Sequence, residues 1–524
     1  MRRINGRKLI NMCAVAGMLL LMASCNAAQE RQTADNTEPH RPRFHFTPDS
    51  MWMNDPNGMV FYDGEYHLFY QYYPDSTVWG PMHWGHAISR DLVHWEHMPV
   101  ALYPDEHGWI FSGSAVVDHN NTSGLGEGNQ PPLIAIFTYH LDAGVQAGRD
   151  DFQTQGIAYS NDKGRTWTKY EGNPVLLNPG IRDFRDPKVM WHEPTSKWIM
   201  TLAVKDRIYF YSSPNLTDWS FESQFGEGHG AHGGVWECPD LIKMQVQGEP
   251  GKEKWVLIVS LNPGGPNGGS AAQYFVGEFD GKEFVSDHTN TRWLDYGKDN
   301  YAGVTWSNVP ENDGRHLFIG WMSNWQYANY VPTEKWRSAM TFPRELQLVN
   351  TSDSYRVTSV PVEEIELLRQ QRIELESATV EGDSELSINQ NPLVSELILD
   401  FEITQDSPTE MFGIEFYNSK GENIKVGYNV KEQQFFIDRT NAGKSDFSEH
   451  FNGVHTAPYS LKDHRIKMHL LVDVASVELF AQDGMVAMTD IFFPNEDFSK
   501  ARLFSQGGSV ELDSGLVYRL NSIQ

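Results

Sequence analysis

Three acidic residues stand in settings that a surface carboxylate does not need. Asp55 lies in Trp52-Met53-Asn54-Asp55-Pro56-Asn57-Gly58, Asp186 in Phe184-Arg185-Asp186-Pro187-Lys188, and Glu237 in Val235-Trp236-Glu237-Cys238-Pro239-Asp240. Taken singly, each reads as part of a turn, because proline presets φ and Asn or Gly accepts a positive φ. Taken together, in a chain with 16 Trp, they fit hydrolysis of a glycosidic bond. One carboxylate would attack the sugar carbon and one carboxylic acid would protonate the leaving oxygen. Two other chemistries touch the same stretch. Cys238 abuts Glu237, but no histidine-containing cysteine-hydrolase signature accompanies it, and a small buried thiol accounts for it as well. His229, His232 and Asp240 are metal ligands by type, with a spacing that matches no standard zinc pattern. No metal and no cofactor is expected.

The elements that must position these acids read as all-β. A chain of 524 residues exceeds one ordinary core, so two domains are expected. Runs such as MVFYDGEYHLFYQYY and KWIMTLAVKDRIYFYSS alternate like strands, and Asp63-Gly64 marks a hairpin. A looser pattern recurs from Ser89, Ser160 and Ser213: a strand end, a polar turn, then an outer strand bearing Trp95, Trp167 or Trp219, with a degenerate copy at Phe279. Repeated four-stranded units of this kind predict a β-propeller. Around Pro361 the texture changes. The stretch PVEEIELLRQQRIELES predicts a helix on Ile365, Leu367 and Leu368, and the runs after it alternate like sandwich strands. The expected layout is a propeller over 41–355, a linker over 356–375 and a β-sandwich over 376–524.

Composition narrows the ligand. Aromatic residues make up 12% of the chain, and tryptophan is seldom buried completely, so half-exposed rings lining a cleft are expected. With 42 Lys and Arg against 69 Asp and Glu, the formal charge is −27, which argues against nucleic acid or an anionic membrane surface as partner. Neutral ligands fit better. At the N-terminus, Arg2, Arg3, Arg7 and Lys8 precede an apolar stretch from Met12 to Ala23 that is too short to span a bilayer. Its end, Leu21-Met22-Ala23-Ser24-Cys25, resembles a bacterial lipobox, so residues 1–24 read as a leader, Cys25 as a lipidated N-terminus and 25–40 as a tether. The expected location is outside the cytoplasm, anchored to a bacterial membrane. Cys238 is then the one thiol of the folded part, which has no internal disulfide.

The motifs together resemble glycoside hydrolase family 32, the invertase, inulinase and levanase group. WMNDPNG, QYYPDSTVWGPMHWGHAISRDLVHW, FSGSAVVD, FRDP, WECPD and GWMSNWQYA occur in that family's order, from about His40 to the C-terminus. The resemblance implies a five-bladed propeller followed by a β-sandwich. It also implies Asp55 as nucleophile, Glu237 as acid/base and Asp186 as transition-state stabiliser. Trp52, Asn54, Gln71, Trp79, Phe111, Ser112, Arg185 and Trp325 would line the fructose subsite, with Trp52 walling it, while Asp183 would be a bystander. The implied reaction is double displacement, with Glu237 protonated and Asp55 kept ionised by surrounding hydrogen-bond donors. It would release fructose from levan- or inulin-type fructans and from sucrose. An endo-acting levanase, a fructosyltransferase and a non-catalytic fructan-binding lipoprotein are the alternatives.

Overall fold

Short strands joined by Gly, Asn and Asp turns dominate the computed structural model, which describes residues 38–352, 354–386, 392–404 and 407–523. The leader, Cys25 and the tether as far as residue 37 lie outside the described residues.

Five antiparallel four-stranded sheets form the propeller. The first runs Met51–Tyr62, Glu65–Tyr73, His83–Ser89 and Trp95–Leu102, and the second Trp109–Val117, Leu133–His140, Gln153–Ser160 and Thr168–Lys169. The third is Phe184–His192, Lys197–Val204, Arg207–Ser213 and Ser220–Phe225. The fourth is Val235–Gln247, Glu253–Asn262, Ala271–Phe279 and Phe284–Ser286, and the fifth Tyr301–Thr305, His316–Met322, Arg344–Asn350 and Tyr355–Pro361. Asp63 and Gly64, at φ 51° and 83°, make the hairpin turn that their pairing predicts. The recurring turn has a physical basis too. Asp91, Asp162 and Asn215 each accept hydrogen bonds from backbone amides two to four residues on, and Asp280 does the same in the degenerate copy.

The strand that begins each blade is its innermost one. We label these β1 (Met51–Tyr62), β2 (Trp109–Val117), β3 (Phe184–His192), β4 (Val235–Gln247) and β5 (Tyr301–Thr305). All five carry the same defect. Between paired positions, two residues of the inner strand face one residue of its neighbour: Asn54-Asp55, Phe111-Ser112, Asp186-Pro187, Cys238-Pro239 and Ala302-Gly303. Such a bulge re-aims side chains and interrupts the ladder. In three of the five, the first bulged residue is left-handed without being glycine: Asp186 at φ 64°, Cys238 at 45° and Ala302 at 53°. That conformation is strained for residues with a Cβ and persists where the surroundings impose it.

The C-terminal part is a β-sandwich built around one long strand, Lys500–Leu520, which bends at Gly507 (φ 81°) and pairs with Met411–Tyr417 before the bend and with Ser395–Glu402 after it. Its core is aliphatic and aromatic, with Leu397, Leu399, Phe401, Phe412, Ile414, Phe416 and Leu470 all fully buried. The helix expected after Pro361 is a short 3-10 helix of six residues, Glu363–Leu368, followed by a strand, Arg369–Leu375, that pairs with Lys500–Leu520. Ile365 and Leu368 are buried three residues apart whereas Leu367 is exposed, which suits a three-residue turn rather than an α-helical face. Pairing with an existing strand then offers the following residues more hydrogen bonds than an isolated, glutamate-rich helix. Buried ion pairs join sandwich to propeller: Arg344 sits between Asp295 at 2.8 Å and Glu478 at 2.5 Å, and Arg439 meets Asp299 at 2.6 Å.

Candidate active site

The five bulges ring the propeller axis and aim their neighbours at one place. Asp55 does not lie on a turn, as its Asp-Pro-Asn-Gly context predicts. It is the second bulged residue of β1, a strand that continues through Pro56 to Tyr62. Pro56 still pairs with Tyr70, because the bulge takes up the distortion that a turn would otherwise supply. Gly58, at φ 57°, permits close packing: a Cβ there would stand 2.6 Å from the Trp84 ring.

Asp55 Oδ1 accepts from Asn54 Nδ2 at 2.8 Å and Oδ2 from Ser112 Oγ at 2.9 Å, so the first and second bulges hold it together. Asp186 is buried, and its Oδ2 accepts from the Cys238 backbone amide at 3.1 Å, joining the third bulge to the fourth. Glu237 Oε1 accepts from Arg185 at 2.9 Å (Nη2) and 3.2 Å (Nε), while Tyr301 donates its hydroxyl to Oε2. Arg185, Glu237 and Tyr301 each directly precede a bulge, on β3, β4 and β5. A cavity of about 340 Å³ opens over these groups, lined by Asn54, Asp55, Gln71, Trp79, Phe111, Ser112, Arg185, Asp186, Glu237 and Trp325 among others.

Trp52 is the exception among the expected subsite residues. It is fully buried and does not line the cavity. Its indole N–H donates to Asn54 Oδ1 at 2.7 Å and its ring stacks behind Trp325 at 5.9 Å. Trp52 precedes the Asn54-Asp55 bulge, which re-aims Asp55 toward the cavity and leaves Trp52 in the packed layer behind it. Trp52 therefore backs the wall, and Trp325, Trp79 and Phe111 form its surface. Asp183 is no bystander: its Oδ1 accepts from Arg185 Nη1 at 2.6 Å, and it lines the cavity. Tyr301 escaped the sequence reading, since a lone tyrosine after Asp-Asn carries no signal until the bulge register equates it with Arg185 and Glu237. The rim residues His140, Val145, Phe152, Gln153 and Arg182 were likewise illegible. They come from the middle strands of the second blade, the short helix Asp142–Gln146 between them, and adjoining loops.

The rival arrangements are not assembled. His229 Nδ1 is engaged by the Glu227 carbonyl and His232 Nδ1 by Asp206, at 2.8 and 2.9 Å, while Asp240 is buried against Thr305 and Lys188. Cys238 is buried and does more than pack Glu237's backbone. Its Sγ lies 3.7 Å from Asp55 Oδ2 and 3.8 Å from Asp186 Oδ2. Burial, reinforced by the charges of Asp186, Asp55 and Glu237, pushes its thiol pKa far up, so it remains an S–H donor and a poor nucleophile.

Crowding of acids sets the electrostatics. Burial pushes the Asp186 pKa up to about 7; Arg185 opposes the shift, and the charges of Glu237 and Asp55 add to it. The Asp55 pKa also moves up, contrary to expectation, because burial outweighs the hydrogen bonds from Asn54 and Ser112, and Glu237's charge adds to the rise. The site thus gathers more acids than it can ionise comfortably.

The description "Glycosyl hydrolases family 32 N-terminal domain" matches residues 45–360, and "Glycosyl hydrolases family 32 C terminal" matches residues 364–519. A levanase of Bacillus subtilis (strain 168) is 47% identical over 521 residues, 99% of this chain and 75% of that protein. An extracellular exo-inulinase of Aspergillus awamori is 40% identical over 517 residues, 93% of this chain and 95% of that protein. The crystal structure of exo-inulinase from Aspergillus awamori superposes with a TM-score of 0.84 at 37% identity, covering 93% of this chain and 99% of that one.

Proposed function

The chain belongs to glycoside hydrolase family 32 and is a glycoside hydrolase; from that premise we propose that it cleaves β-fructosidic bonds of fructans from chain ends, with retention of configuration. Asp55 attacks C2 of the terminal fructosyl unit and forms an ester to it. Glu237 delivers its proton to the departing glycosidic oxygen, so the bond breaks without releasing an alkoxide. In the second step Glu237 takes a proton from water, the water oxygen attacks C2, and the ester breaks to free fructose and the Asp55 carboxylate. Asp186 takes hydrogen bonds from fructosyl hydroxyls, and Trp325, Trp79 and Phe111 offer apolar surface to the ring.

The observation that carries this reading is the different support given to the two carboxyl groups over one cavity. Asp55 is held by the neutral donors Asn54 and Ser112, and Glu237 by Arg185 and Tyr301. The volume of about 340 Å³ is near the small end of ligand pockets, which supports entry of a chain end rather than passage of a chain. Levan- and inulin-type linkages are both proposed substrates, as is sucrose. Incubation with levan, inulin and sucrose, with products chromatographed over time, tests all three: free fructose is expected as the main early product. An early ladder of oligosaccharides overturns the exo assignment.

We further propose export and lipid anchoring at Cys25, which the lipobox-like Leu21–Cys25 supports. Cys25→Ala should move the protein from the membrane fraction to the soluble one; a soluble parent protein rejects the anchor.

A further inference from the structure

A second cavity, of about 710 Å³, opens on the other side of the bulge ring and shares no lining residue with the first. Lys188 lies two residues beyond Asp186, Asp240 three beyond Glu237 and Thr305 four beyond Tyr301, along β3, β4 and β5. The strands that present the acids to one cavity therefore continue past the bulges to line the other.

The base of this cavity is polar and incompletely satisfied. Asp240 is fully buried. Its Oδ2 accepts from Thr305 N at 2.6 Å and Thr305 Oγ1 at 2.7 Å, with Lys188 Nζ at 3.2 Å. Its Oδ1 is buried and has no hydrogen-bond partner. An orphan carboxylate oxygen costs free energy unless something donates to it. Formal charges on the lining cancel, since it contains Lys188 and Lys243 alongside Asp240 and Glu193. A cavity of balanced charge with paired donors and acceptors selects a neutral polar ligand over an ion. Trp191, half-buried in the lining and edge-on to Trp198 at 5.2 Å, supplies an aromatic surface. Aromatic surface beside charged hydrogen-bonding groups is the chemistry that a polyhydroxylated ring requires.

We infer that this far mouth of the propeller is a second, non-hydrolytic binding site for a neutral oligosaccharide, a segment of the fructan substrate. The identity of the sugar rests on the proposed function, whereas the site itself does not. Holding one part of a polymer here would raise its effective concentration near the enzyme.

Calorimetric titration of the Asp55→Asn protein with a short levan oligosaccharide tests it. Two binding events per chain are expected, falling to one in Asp55→Asn/Trp191→Ala and returning to two in Asp55→Asn/Trp191→Phe, which keeps an aromatic ring. With Asp55 intact, Trp191→Ala should raise KM for levan about fivefold and leave sucrose turnover unchanged. A single binding event in Asp55→Asn, or two in the Trp191→Ala double variant, overturns the second site. Failure of the parent enzyme to release fructose would instead count against the proposed function.

Discussion

The sandwich and the propeller use the same strand chemistry to opposite ends. In the sandwich, Ser395–Glu402 and Arg465–Val472 pair over eight consecutive residues without a break, and the inward set Leu397, Leu399, Phe401, Ile466, Met468 and Leu470 is fully buried. In the propeller, each innermost strand breaks at an equivalent position, β1 breaking a second time between Asn57 and Val60, and polar groups gather where the ladder first fails. An unbroken ladder over an apolar core supplies stability and offers no free chemistry. A bulge gives up ladder hydrogen bonds and, in three of the five, strains its first residue, and in exchange aims side chains inward. Reactivity and stability are thus placed in different parts of one chain.

Variants can break that contrast. At the reactive end, Asp55→Asn and Glu237→Gln should each lower kcat by about a thousandfold or more while leaving the circular-dichroism spectrum unchanged, since each replaces a carboxyl group by an amide of nearly the same shape. Turnover near the parent level in either would sink the assignment of roles. At the stable end, Phe412→Ala opens a hole in the sandwich core and should cost about 3–5 kcal/mol in denaturant unfolding, with kcat of the folded fraction unchanged. A loss of kcat without loss of stability would show that the sandwich takes part in the chemistry.

Smaller effects sharpen it. Tyr301→Phe removes one donor from Glu237 but keeps the ring, so kcat should fall about tenfold or more and the pH–rate profile should move, which a purely structural loss would not produce. An unaltered profile assigns Tyr301 to packing alone. The smallest effect concerns His45, which is buried between Asp473 and Glu478 at 2.8 Å from each. Burial opposes its charge, but the hydrogen bonds and charges of those two acids prevail and raise its pKa to about 9. A folded-state pKa above the ordinary 6.5 means that the stabilisation is complete below about pH 6.5 and disappears as the pH rises through about 9. The melting temperature of the parent should therefore fall over that window relative to His45→Gln. Parallel profiles would remove His45 from the account.

Much of this was legible beforehand. The Ser-x-Asp and Ser-x-Asn turns and their tryptophans repeated visibly because the first three blades make the same tight reversal with the same kind of side-chain cap. The alternation after Pro361 announced a second all-β part. Asp55, Asp186 and Glu237 were conspicuous through their unusual neighbours. The helix after Pro361 was misread because Ile365, Leu367 and Leu368 satisfy a helical pattern, while the competing partner, the strand Lys500–Leu520, lies more than a hundred residues away.

What the sequence alone determined is local: strand periods, turn chemistry, and the identity of the acids, all set by interactions within a few residues. What the tertiary structure decided is the register at which five distant strands meet. That register turned an apparent Asp-Pro-Asn-Gly turn into a bulge, sent Trp52 behind the wall, brought Asp183 and Tyr301 into the Glu237 network, and raised Asp55 where its hydrogen-bond donors alone would lower it. The reason is physical. Burial and like-charge crowding are sums over every neighbour in space, and a side chain's facing flips with a single-residue shift in pairing.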